Sequence, residues 1–457
     1  MLKLPADFED NMKSLLGLEY EDFLKALNTE SPTSIRINNF KNSLEGLNKL
    51  EKVRWTDYGY YLEERPSFTF DPHFHAGHYY VQEASSMFIE QAIKQTVDLD
   101  QPIIALDMCA APGGKSTHIN SLLSSDSLLI SNEVIATRAS ILVENITKWG
   151  NANVIVTNND PEHFQNFENC FDLIMLDAPC SGEGMFRKDK DSINEWSLNN
   201  VNICSARQMR ILHTTSNLVK QNGILIYSTC TYNYKEDVEP IISLLNEGGW
   251  ESIQLEVQNF EGITENIIEH PHKIYGYHFY PHKIRGEGFY ITVLKKTEET
   301  NGRWPKMMKN INYADKQTKA ILSNFVDSDE YGFLQHNQQS LAYPKSLEKE
   351  MLGVLNSSLR IKKFGVDLGQ VIRSEFIPEH AYAMSNLKNK EFEEIELDKQ
   401  QAIMYLQKKD FSLDKNLKGW CLFKYQDAYL GFAKLMGNRM NNNYPKEWRI
   451  KSDREIL

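Results

Sequence analysis

The stretch from 171 to 188 (FDLIMLDAPCSGEGMFRK) constrains the fold of this chain most, because an apolar strand in it ends on reactive side chains. Phe171–Leu176 has the pattern of a buried strand, Asp177 ends it, and Cys180 follows in a glycine-containing loop. The segment Gly223–Cys230 (GILIYSTC) repeats the design and places a second cysteine after a second strand. In open α/β sheets, ligands bind outside the carboxyl ends of the strands. We therefore predict a functional site to which two strands each deliver a cysteine.

Strand and helix patterns alternate from about residue 97 to residue 297. The predicted strands are Ile103–Asp107, Leu128–Glu133, Val154–Thr157, Phe171–Leu176, Ile224–Tyr227 and Gly288–Leu294, and the predicted helices are Lys115–Leu123, Ala136–Trp149, Cys204–Lys220 and Lys235–Leu245. Such alternation is typical of a mostly parallel sheet that is covered by helices on both faces.

The 457-residue chain is too long for one hydrophobic core, so several domains are expected. We predict a small α/β region at 1–95 and the alternating α/β region at 96–297. A linker with a small mixed α/β domain follows at 298–384, and a domain of short strands occupies 385–457.

Composition limits where the protein works and what it binds. No apolar run reaches the roughly 18 residues that a membrane span needs, and the first residues lack the order of a signal peptide. We expect a cytoplasmic protein without a membrane partner. The six cysteines form no CxxC pair, and the histidines at 73, 75 and 78 stand in a loop without matching carboxylates. We therefore predict no metal site, and the thiols should be reduced.

The net charge of -12 argues against a wholly electrostatic nucleic-acid binder. Residues 401–457 nevertheless hold eleven Lys and Arg against six Asp and Glu, a local surplus of five. On charge alone, this basic segment is equally well interpreted as a local RNA-binding face or as an ordinary solvated surface.

The segment 105–117 (ALDMCAAPGGKST) reads as a strand, an acid, a glycine turn and the start of a helix. A P-loop would need glycine at the position of Cys109, and a GxGxxG fingerprint is absent as well. The remaining common ligand for this arrangement is S-adenosylmethionine, whose cationic sulfur and amino group suit nearby acids. Gly113 and Gly114 would let the backbone approach that ligand closely.

Three further acids follow successive predicted strands. Glu133 ends the second strand, where it could bind ribose hydroxyls, Asp160 follows the third near the expected adenine, and Asp177 ends the fourth. Taken singly, each of these acids is better interpreted as a helix cap or a loop carboxylate than as a cofactor ligand. Acids at four successive strand ends, counting Asp107, favour a cofactor site.

Two cysteines in polar loops beside a cofactor turn suggest covalent catalysis on a pyrimidine. Cys180 and Cys230 would face one pocket if their strands are neighbours. A thiolate that adds to C6 of a pyrimidine makes C5 nucleophilic, and cysteine suits this role. Lys115 could raise the thiolate fraction. The residues alone leave open which cysteine attacks and which one assists release.

The residues also resemble a known family. The segments DMCAAPGGKS (107–116), NEV (132–134), NNDP (158–161), DLIMLDAPCSGEGMFRK (172–188), YSTCTYNYKEDVE (227–239) and PHKIRGEGFY (281–290) are similar to the motifs of Sun-type RNA cytosine-5 methyltransferases. The resemblance is strongest to their bacterial RsmF branch, which acts on 16S rRNA. The C-terminal NNNYPKEWR (441–449) resembles that branch's RNA-binding module, although the Glu-Trp pair departs from the expected pattern.

The resemblance implies a Rossmann-like core that uses S-adenosylmethionine, a small N-terminal α/β domain, and C-terminal RRM-like and PUA-like RNA-binding modules. It implies that Cys230 attacks C6, Cys180 aids release, Asp177 contacts the cytosine amino edge and Lys115 orients the base. The implied cofactor-binding residues are Cys109, Ala110, Ala111, Pro112, Gly113, Gly114, Lys115, Glu133, Asp160 and Asp177.

The resemblance further implies a monomer that forms 5-methylcytosine in 16S rRNA, as free RNA or in the 30S subunit, with the decoding region as the expected target. Two alternatives stay open. One is a tRNA cytosine-5 methyltransferase with the same chemistry. The other is a non-catalytic ribosome-assembly factor that binds RNA, against which the presence of both Cys180 and Cys230 argues. A P-loop NTPase is disfavoured by Cys109.

Overall fold

The computed structural model describes residues 2–41, 49–269, 271–307, 309–387, 392–413, 417–437 and 439–452. Within these ranges the strands form four sheets, of three, ten, four and four strands. Also within these ranges, no helix has the length and apolar character that crossing a membrane would require.

The N-terminal region combines short helices with a small antiparallel sheet. Its elements are α1 (Ala6–Leu16), α2 (Tyr20–Leu27), β1 (Thr33–Ile37), β2 (Gly59–Leu62), α3 (Pro72–His75), β3 (Tyr79–Val81) and α4 (Ile89–Thr96). Strand β1 pairs with β2 on one side and β3 on the other, both antiparallel. This sheet sends one fully buried cation, Arg36, toward the rest of the molecule: its guanidinium donates to Gln82 Oε1 (2.8 Å) and Thr117 Oγ1 (2.6 Å).

The central region alternates strands and helices as predicted up to residue 246, after which four strands follow one another, and only the last of the four was predicted. Its elements are β4 (Ile104–Asp107), α5 (Gly114–Leu122), β5 (Leu128–Asn132), α6 (Ala136–Trp149), β6 (Val154–Thr157), β7 (Phe171–Asp177), α7 (Lys190–Glu195), α8 (Leu198–Ser216), β8 (Val219–Thr229), α9 (Tyr234–Asp237), α10 (Glu239–Asn246), β9 (Trp250–Ser252), β10 (Ile263–Ile268), β11 (Ile274–Phe279) and β12 (Phe289–Lys296).

Eight of these strands lie in the ten-stranded sheet in the order β10-β11-β12-β8-β7-β4-β5-β6, and β9 pairs with β12 beside this row. The five strands from β8 to β6 are parallel, whereas β12, β11 and β10 run antiparallel to their neighbours. The sheet is therefore mixed, with a parallel centre. Chain order reverses at β4, which lies between β5 and β7, and this reversal is the point at which open α/β sheets bind ligands.

Both faces of the parallel centre are buried. Along β7, Leu173 and Met175 belong to one hydrophobic cluster, while Ile174 and Leu176 belong to the cluster on the opposite face. Because neither face meets water, the strand reads as a continuous apolar run rather than as an alternation of apolar and polar residues.

The remaining chain forms two small sheets and one extension of the large sheet. Its elements are α11 (Lys316–Leu322), β13 (Tyr331–His336), β14 (Gln339–Pro344), α12 (Glu348–Leu355), β15 (Ile361–Phe364), β16 (Val366–Ile372), β17 (Glu375–Pro378), α13 (His380–Met384), β18 (Glu393–Glu396), α14 (Lys399–Gln407), β19 (Lys418–Tyr425), β20 (Ala428–Met436) and β21 (Met440–Asn442). The small sheets have the orders β13-β14-β16-β17 and β18-β19-β20-β21. Strand β15 pairs antiparallel with β6, so a segment beyond residue 298 completes the edge of the large sheet.

Candidate active site

The first part of the site is the turn between β4 and α5. Asp107 ends β4 and is fully buried. Its Oδ2 accepts a hydrogen bond from Ser116 Oγ (2.6 Å), whereas Oδ1 has no partner among the residues that the structure describes. Burial raises the pKa of Asp107 to about 7, against the hydrogen bond from Ser116. A buried carboxylate oxygen without a donor is costly unless a ligand satisfies it.

The backbone of this turn is held by neighbouring elements. Ala110 donates its N–H to the Asn132 carbonyl (2.8 Å), Arg138 donates to the Ala111 carbonyl (2.7 Å), and Asn145 donates to the Pro112 carbonyl (2.8 Å). The sequence predictions placed Cys109, Ala110, Ala111, Pro112, Gly113 and Gly114 here, and the structure brings all of them into this turn.

Backbone conformation or limited space explains why each of the two positions in the turn is occupied by glycine. Gly113 has φ +117°, a backbone conformation that favours glycine. A Cβ on Gly114 would lie 3.2 Å from the ring of Tyr80, which comes from the N-terminal region. Cys109 lies in the same turn, and burial raises the pKa of its thiol, so that it stays neutral. Cys109 therefore lines the turn as a small uncharged side chain.

The acids after β5 and β6 have protein partners that the sequence did not reveal. Glu133 is buried, accepts from the Ile135 N–H (2.8 Å) and lies 3.4 Å from Arg138. Asp160 accepts from Arg210 at 3.1 Å. Partial burial disfavours the charged form of Asp160, but Arg210 and the Glu162 N–H outweigh it and lower its pKa. Both acids lie at the same edge of the large sheet, after the carboxyl ends of β5 and β6.

Two exposed apolar side chains follow Glu133, and sequence reasoning missed them. Val134 is 54% exposed and Ile135 is 48% exposed, although the strand before them is fully buried. An apolar pair directly after a strand-terminal acid is the signal that would have identified them. Their exposure leaves an apolar surface beside a carboxylate, as a nucleoside requires.

The second part of the site contains the two cysteines. Strands β7 and β8 are parallel neighbours, with Asp177 opposite Ser228, so the condition on which the shared-pocket prediction rested is met. The sulfur atoms of Cys180 and Cys230 lie 2.9 Å apart, and the Cys230 N–H also points at Cys180 Sγ (3.4 Å). The hydrogen bond with Cys230, burial and the negative charge of Cys230 all raise the pKa of Cys180 well above its usual value. Cys180 therefore rests as a thiol.

Lys115 and Asp177 join the two parts. Lys115 Nζ lies 2.8 Å from Asp177 Oδ2, and Ser228 Oγ donates to Asp177 Oδ1 (2.6 Å). Burial alone would lower the pKa of Lys115, but the negative charges of Asp177, Asp107 and Cys230 outweigh it and raise that pKa. Lys115 is thus a permanent cation between the glycine turn and the cysteines.

The arrangement fits a cationic nucleoside cofactor. The orphan Oδ1 of Asp107 and the carboxylates of Glu133, Asp160 and Asp177 line successive strand ends, and such a set would repel a triphosphate. A sulfonium and an ammonium group would instead satisfy Asp107. The residues present therefore fit S-adenosylmethionine.

Comparisons with known proteins agree with this geometry. Residues 4–84 match the N-terminal domain of 16S rRNA methyltransferase RsmF, residues 95–295 match 16S rRNA methyltransferase RsmB/F, and residues 392–450 match the methyltransferase RsmF PUA domain. The ribosomal RNA small subunit methyltransferase F of Shewanella oneidensis is 30% identical to this chain, and the match covers 100% of this chain and 99% of that protein. The chain belongs to the ribosomal RNA small subunit methyltransferase F family.

Other relatives support the same family assignment. The ribosomal RNA small subunit methyltransferase F of Aliivibrio salmonicida is 29% identical over 97% of this chain and 96% of its own length. The crystal structure of a methyltransferase homolog protein from Pyrococcus horikoshii superposes with a TM-score of 0.53 and 29% identity, over 63% of this chain and 94% of that one. The predicted family and fold are thereby confirmed: a Rossmann-like methyltransferase core, an N-terminal domain and a C-terminal PUA domain.

Proposed function

We propose that this member of the methyltransferase F family forms 5-methylcytosine in 16S rRNA, with Cys230 as the nucleophile and Cys180 as the group that releases the product. The observation that carries the proposal is the 2.9 Å contact between the two sulfur atoms, beside Lys115 and the cofactor turn. A methyltransferase that acted on an exocyclic amine or a hydroxyl would need no such pair.

The chemistry begins with attack by Cys230. Its thiolate adds to C6 of the cytosine, and the electrons of the C5–C6 double bond move toward C5. S-adenosylmethionine, when bound, supplies the methyl group that C5 takes up. The cation of Lys115 and the carboxylate of Asp177 face the base from the strand end and would orient its amino edge and ring.

Release requires loss of the C5 proton. We assign Cys180 as the acceptor of that proton: once Cys230 is bonded to C6, the Cys180 thiol loses its own proton to solvent, and the resulting thiolate takes up the C5 proton. The electrons of the C5–H bond then restore the double bond and expel Cys230 as a thiolate. The surroundings that raise the pKa of Cys180 make its thiolate a strong base, and its ionisation becomes easier once Cys230 has lost its negative charge to the C6 bond.

The cofactor roles follow from the site. We assign S-adenosylmethionine to the turn 109–114 and to Lys115, with its cationic groups toward Asp107 and Asp177. Glu133 would accept the ribose hydroxyls, while Val134 and Ile135 would pack on the adenine near Asp160. Arg138 and Arg210 would hold Glu133 and Asp160 in place.

The flanking regions would bind the RNA. We propose that residues 1–95 and 385–457 act as RNA-binding domains on either side of the methyltransferase domain. The C-terminal domain presents a basic groove lined by Lys408, Lys409, Lys446, Arg449 and Lys451. A groove of this charge on a chain of net charge -12 favours contact with phosphates rather than general attraction to RNA.

The test of the reaction is bisulfite sequencing of 16S rRNA and tRNA from wild-type and deletion strains. We expect one or a few 16S cytidines to lose protection in the deletion strain and to regain it on complementation. Loss of protection at tRNA cytidines alone would make tRNA, and not 16S rRNA, the substrate. Unchanged protection in both RNAs would overturn the proposal in favour of a non-catalytic assembly factor.

The test of the mechanism is the Cys180→Ala variant. Attack through Cys230 should survive while release fails, so the variant should accumulate a covalent protein–RNA adduct that migrates slowly on a denaturing gel. The Cys180→Ala, Cys230→Ala double variant is the matched control and should form none. If Cys180→Ala forms no adduct, the roles assigned to the two cysteines are wrong.

A further inference from the structure

Behind the two cysteines lies a group of fully buried carboxylates. Glu236 and Asp237 are consecutive residues of helix α9, both without solvent exposure, and Glu183 lies nearby with 2% exposure. Among the residues that the structure describes, Glu236 has no Lys, Arg or His within salt-bridge distance. Burial raises the pKa of the Glu236 carboxyl, because removing a charge from water is expensive, while hydrogen bonds from Ser181 and Asn233 oppose that rise. The partners of this carboxyl therefore indicate what it does in the site.

Glu236 binds the residue that follows Cys180. Ser181 donates both its N–H (2.9 Å) and its hydroxyl (2.5 Å) to the two oxygens of Glu236. Gln208 of helix α8 donates to Glu236 Oε1 (3.0 Å) and to the carbonyl of Pro179 (3.1 Å). The residues on both sides of Cys180 are thus fixed through one carboxylate and one amide, which leaves the cysteine little freedom to move.

Asp237 binds the residues on both sides of Cys230. Thr229 and Thr231, which flank that cysteine, both donate their hydroxyls to Asp237 Oδ1 (2.5 and 2.8 Å). The other oxygen of Asp237 lies 3.1 Å from Nε2 of His278 on β11. The loop that carries Cys230 is therefore clamped at both neighbours of the cysteine.

The two loops are also tied to each other. Glu183 accepts from the Tyr232 N–H (2.9 Å) and from Asn233 (3.0 Å), and Asn233 donates to Glu236 as well (2.7 Å). The Gly184 N–H donates to the Cys230 carbonyl (2.8 Å). The distance between the two sulfur atoms is consequently set by buried polar contacts rather than by the loops' own conformational preferences.

We propose that Glu236 and Asp237 are positioning residues, one for each cysteine: Glu236 holds Cys180 for the release step and Asp237 holds Cys230 for attack. This inference rests on the proposed function and assigns each carboxylate to one half of the reaction. Neither carboxylate touches substrate in this scheme; each acts through the residues beside its cysteine.

The decisive variant is Glu236→Gln. Four donors point at the carboxylate, and an amide would turn an NH₂ group toward at least one of them. Asn233 cannot rotate its amide to compensate, because its Oδ1 accepts from the Glu236 N–H at 2.9 Å. We expect Cys180 to shift and overall turnover to fall about 100-fold, the size of effect that a displacement of about 1 Å at a reacting group can have. Because attack survives, the covalent protein–RNA adduct should accumulate, as in Cys180→Ala.

Loss of Asp237 should impair attack rather than release, so the covalent adduct should not accumulate. Asp237→Ala should lower turnover without accumulation of adduct, and in the Cys180→Ala background it should slow adduct formation about 100-fold. Thr231→Val keeps the side-chain shape and removes only one hydroxyl, so it should give a smaller slowing in the same direction. It keeps the test decisive if Asp237→Ala fails to fold.

The control is Glu239→Gln. Glu239 begins helix α10, three residues after Glu236. Its replacement should leave turnover and adduct levels unchanged. All variants are compared in the full-length protein, with the thermal melting temperature as the measure of folding.

The outcomes separate this inference from the proposed function. An adduct in Cys180→Ala together with none in Glu236→Gln overturns the role of Glu236 and leaves the covalent mechanism intact. No adduct in Cys180→Ala overturns the mechanism itself. If Glu236→Gln and Asp237→Ala reduce activity equally and neither changes adduct level relative to turnover, both residues are merely structural and the inference is wrong.

Discussion

The affinity of the protein for S-adenosylmethionine should depend on pH through Asp107. Burial raises the pKa of this carboxyl to about 7, and one of its oxygens has no partner in the part of the chain that the structure describes. A cationic cofactor binds the ionised form. The apparent dissociation constant is therefore the intrinsic value divided by the ionised fraction, and binding should strengthen by about 25-fold between pH 5.5 and pH 7.5.

Isothermal titration of the RNA-free protein with the cofactor measures this directly. The Asp107→Asn variant should bind more weakly at pH 7.5, and its affinity should change by less than about twofold over the same range, since the titrating group is gone. Asp367→Asn is the matched control: Asp367 on β16 is a half-buried acid whose pKa burial also raises, to about 6, but it lies outside the cofactor turn. That variant should keep the wild-type slope. A flat wild-type profile, or an unchanged slope in Asp107→Asn, would refute the assignment.

The same titration has a second consequence, for folding. The folded-state pKa of Asp107 lies above the unfolded value, so the folded protein holds the proton more tightly and stability falls as pH rises from about 4 through about 7. The full cost at pH 8 is at most about 4 kcal/mol, at about 1.4 kcal/mol per pKa unit. Asp107→Asn should thus stabilise the apoprotein more at pH 8 than at pH 5, while it weakens cofactor binding.

Three further predictions concern other positions. Lys115→Met should lower turnover by at least about 100-fold in a tritiated-methyl transfer assay, because it leaves Asp177 without its cation; Lys115→Arg restoring most activity would show that charge alone suffices. Gly77→Ala should lower the free energy of unfolding by about 1–3 kcal/mol in urea titrations, since Gly77 has φ +69° and a Cβ there would lie 2.1 Å from a carbonyl of α6; an unchanged midpoint would contradict this. Dilute peroxide should link Cys180 to Cys230 in a disulfide, the peroxide being reduced to water, with loss of two titratable thiols and of activity that dithiothreitol restores; mass spectrometry without that crosslink would count against the 2.9 Å contact.

The sequence predicted those parts of the site that follow from one strand and the loop after it. Asp107, Glu133 and Asp177 were placed correctly at the edge of the sheet because an apolar run that ends on an acid has a definite position in a parallel sheet. The prediction that Cys180 and Cys230 share a pocket depended on their two strands being neighbours, because the sequence of a single strand does not determine which strand pairs with it. The structure makes β7 and β8 neighbours and so satisfies the condition.

The contacts between distant segments were beyond sequence reasoning. Glu236 meets Ser181 across 55 residues, and Arg210 meets Asp160 across 50. A carboxylate on a short helix reads as an ordinary solvated acid until the packing of α9 against the cysteine loops is known. For the same reason nothing in the sequence indicated that β15 would extend the large sheet, because its partner β6 lies about 200 residues earlier.

The two halves of the site use buried carboxylates for opposite purposes. On the cofactor side, one oxygen of Asp107 has no partner among the described residues, which creates a demand for a positive charge. On the cysteine side, Glu236 and Asp237 accept hydrogen bonds that position the loops, while the charge of Glu236 disfavours a thiolate at Cys180. Under the proposed mechanism, the site must offset that effect before a cysteine can attack a pyrimidine. Lys115 does so, since it lies between the halves and the negative charge of Cys230 stabilises its cation. Removing Lys115 should therefore slow adduct formation in Cys180→Ala as well as overall turnover, whereas a variant that weakens only cofactor binding should leave the maximal rate of adduct formation at saturating cofactor unchanged.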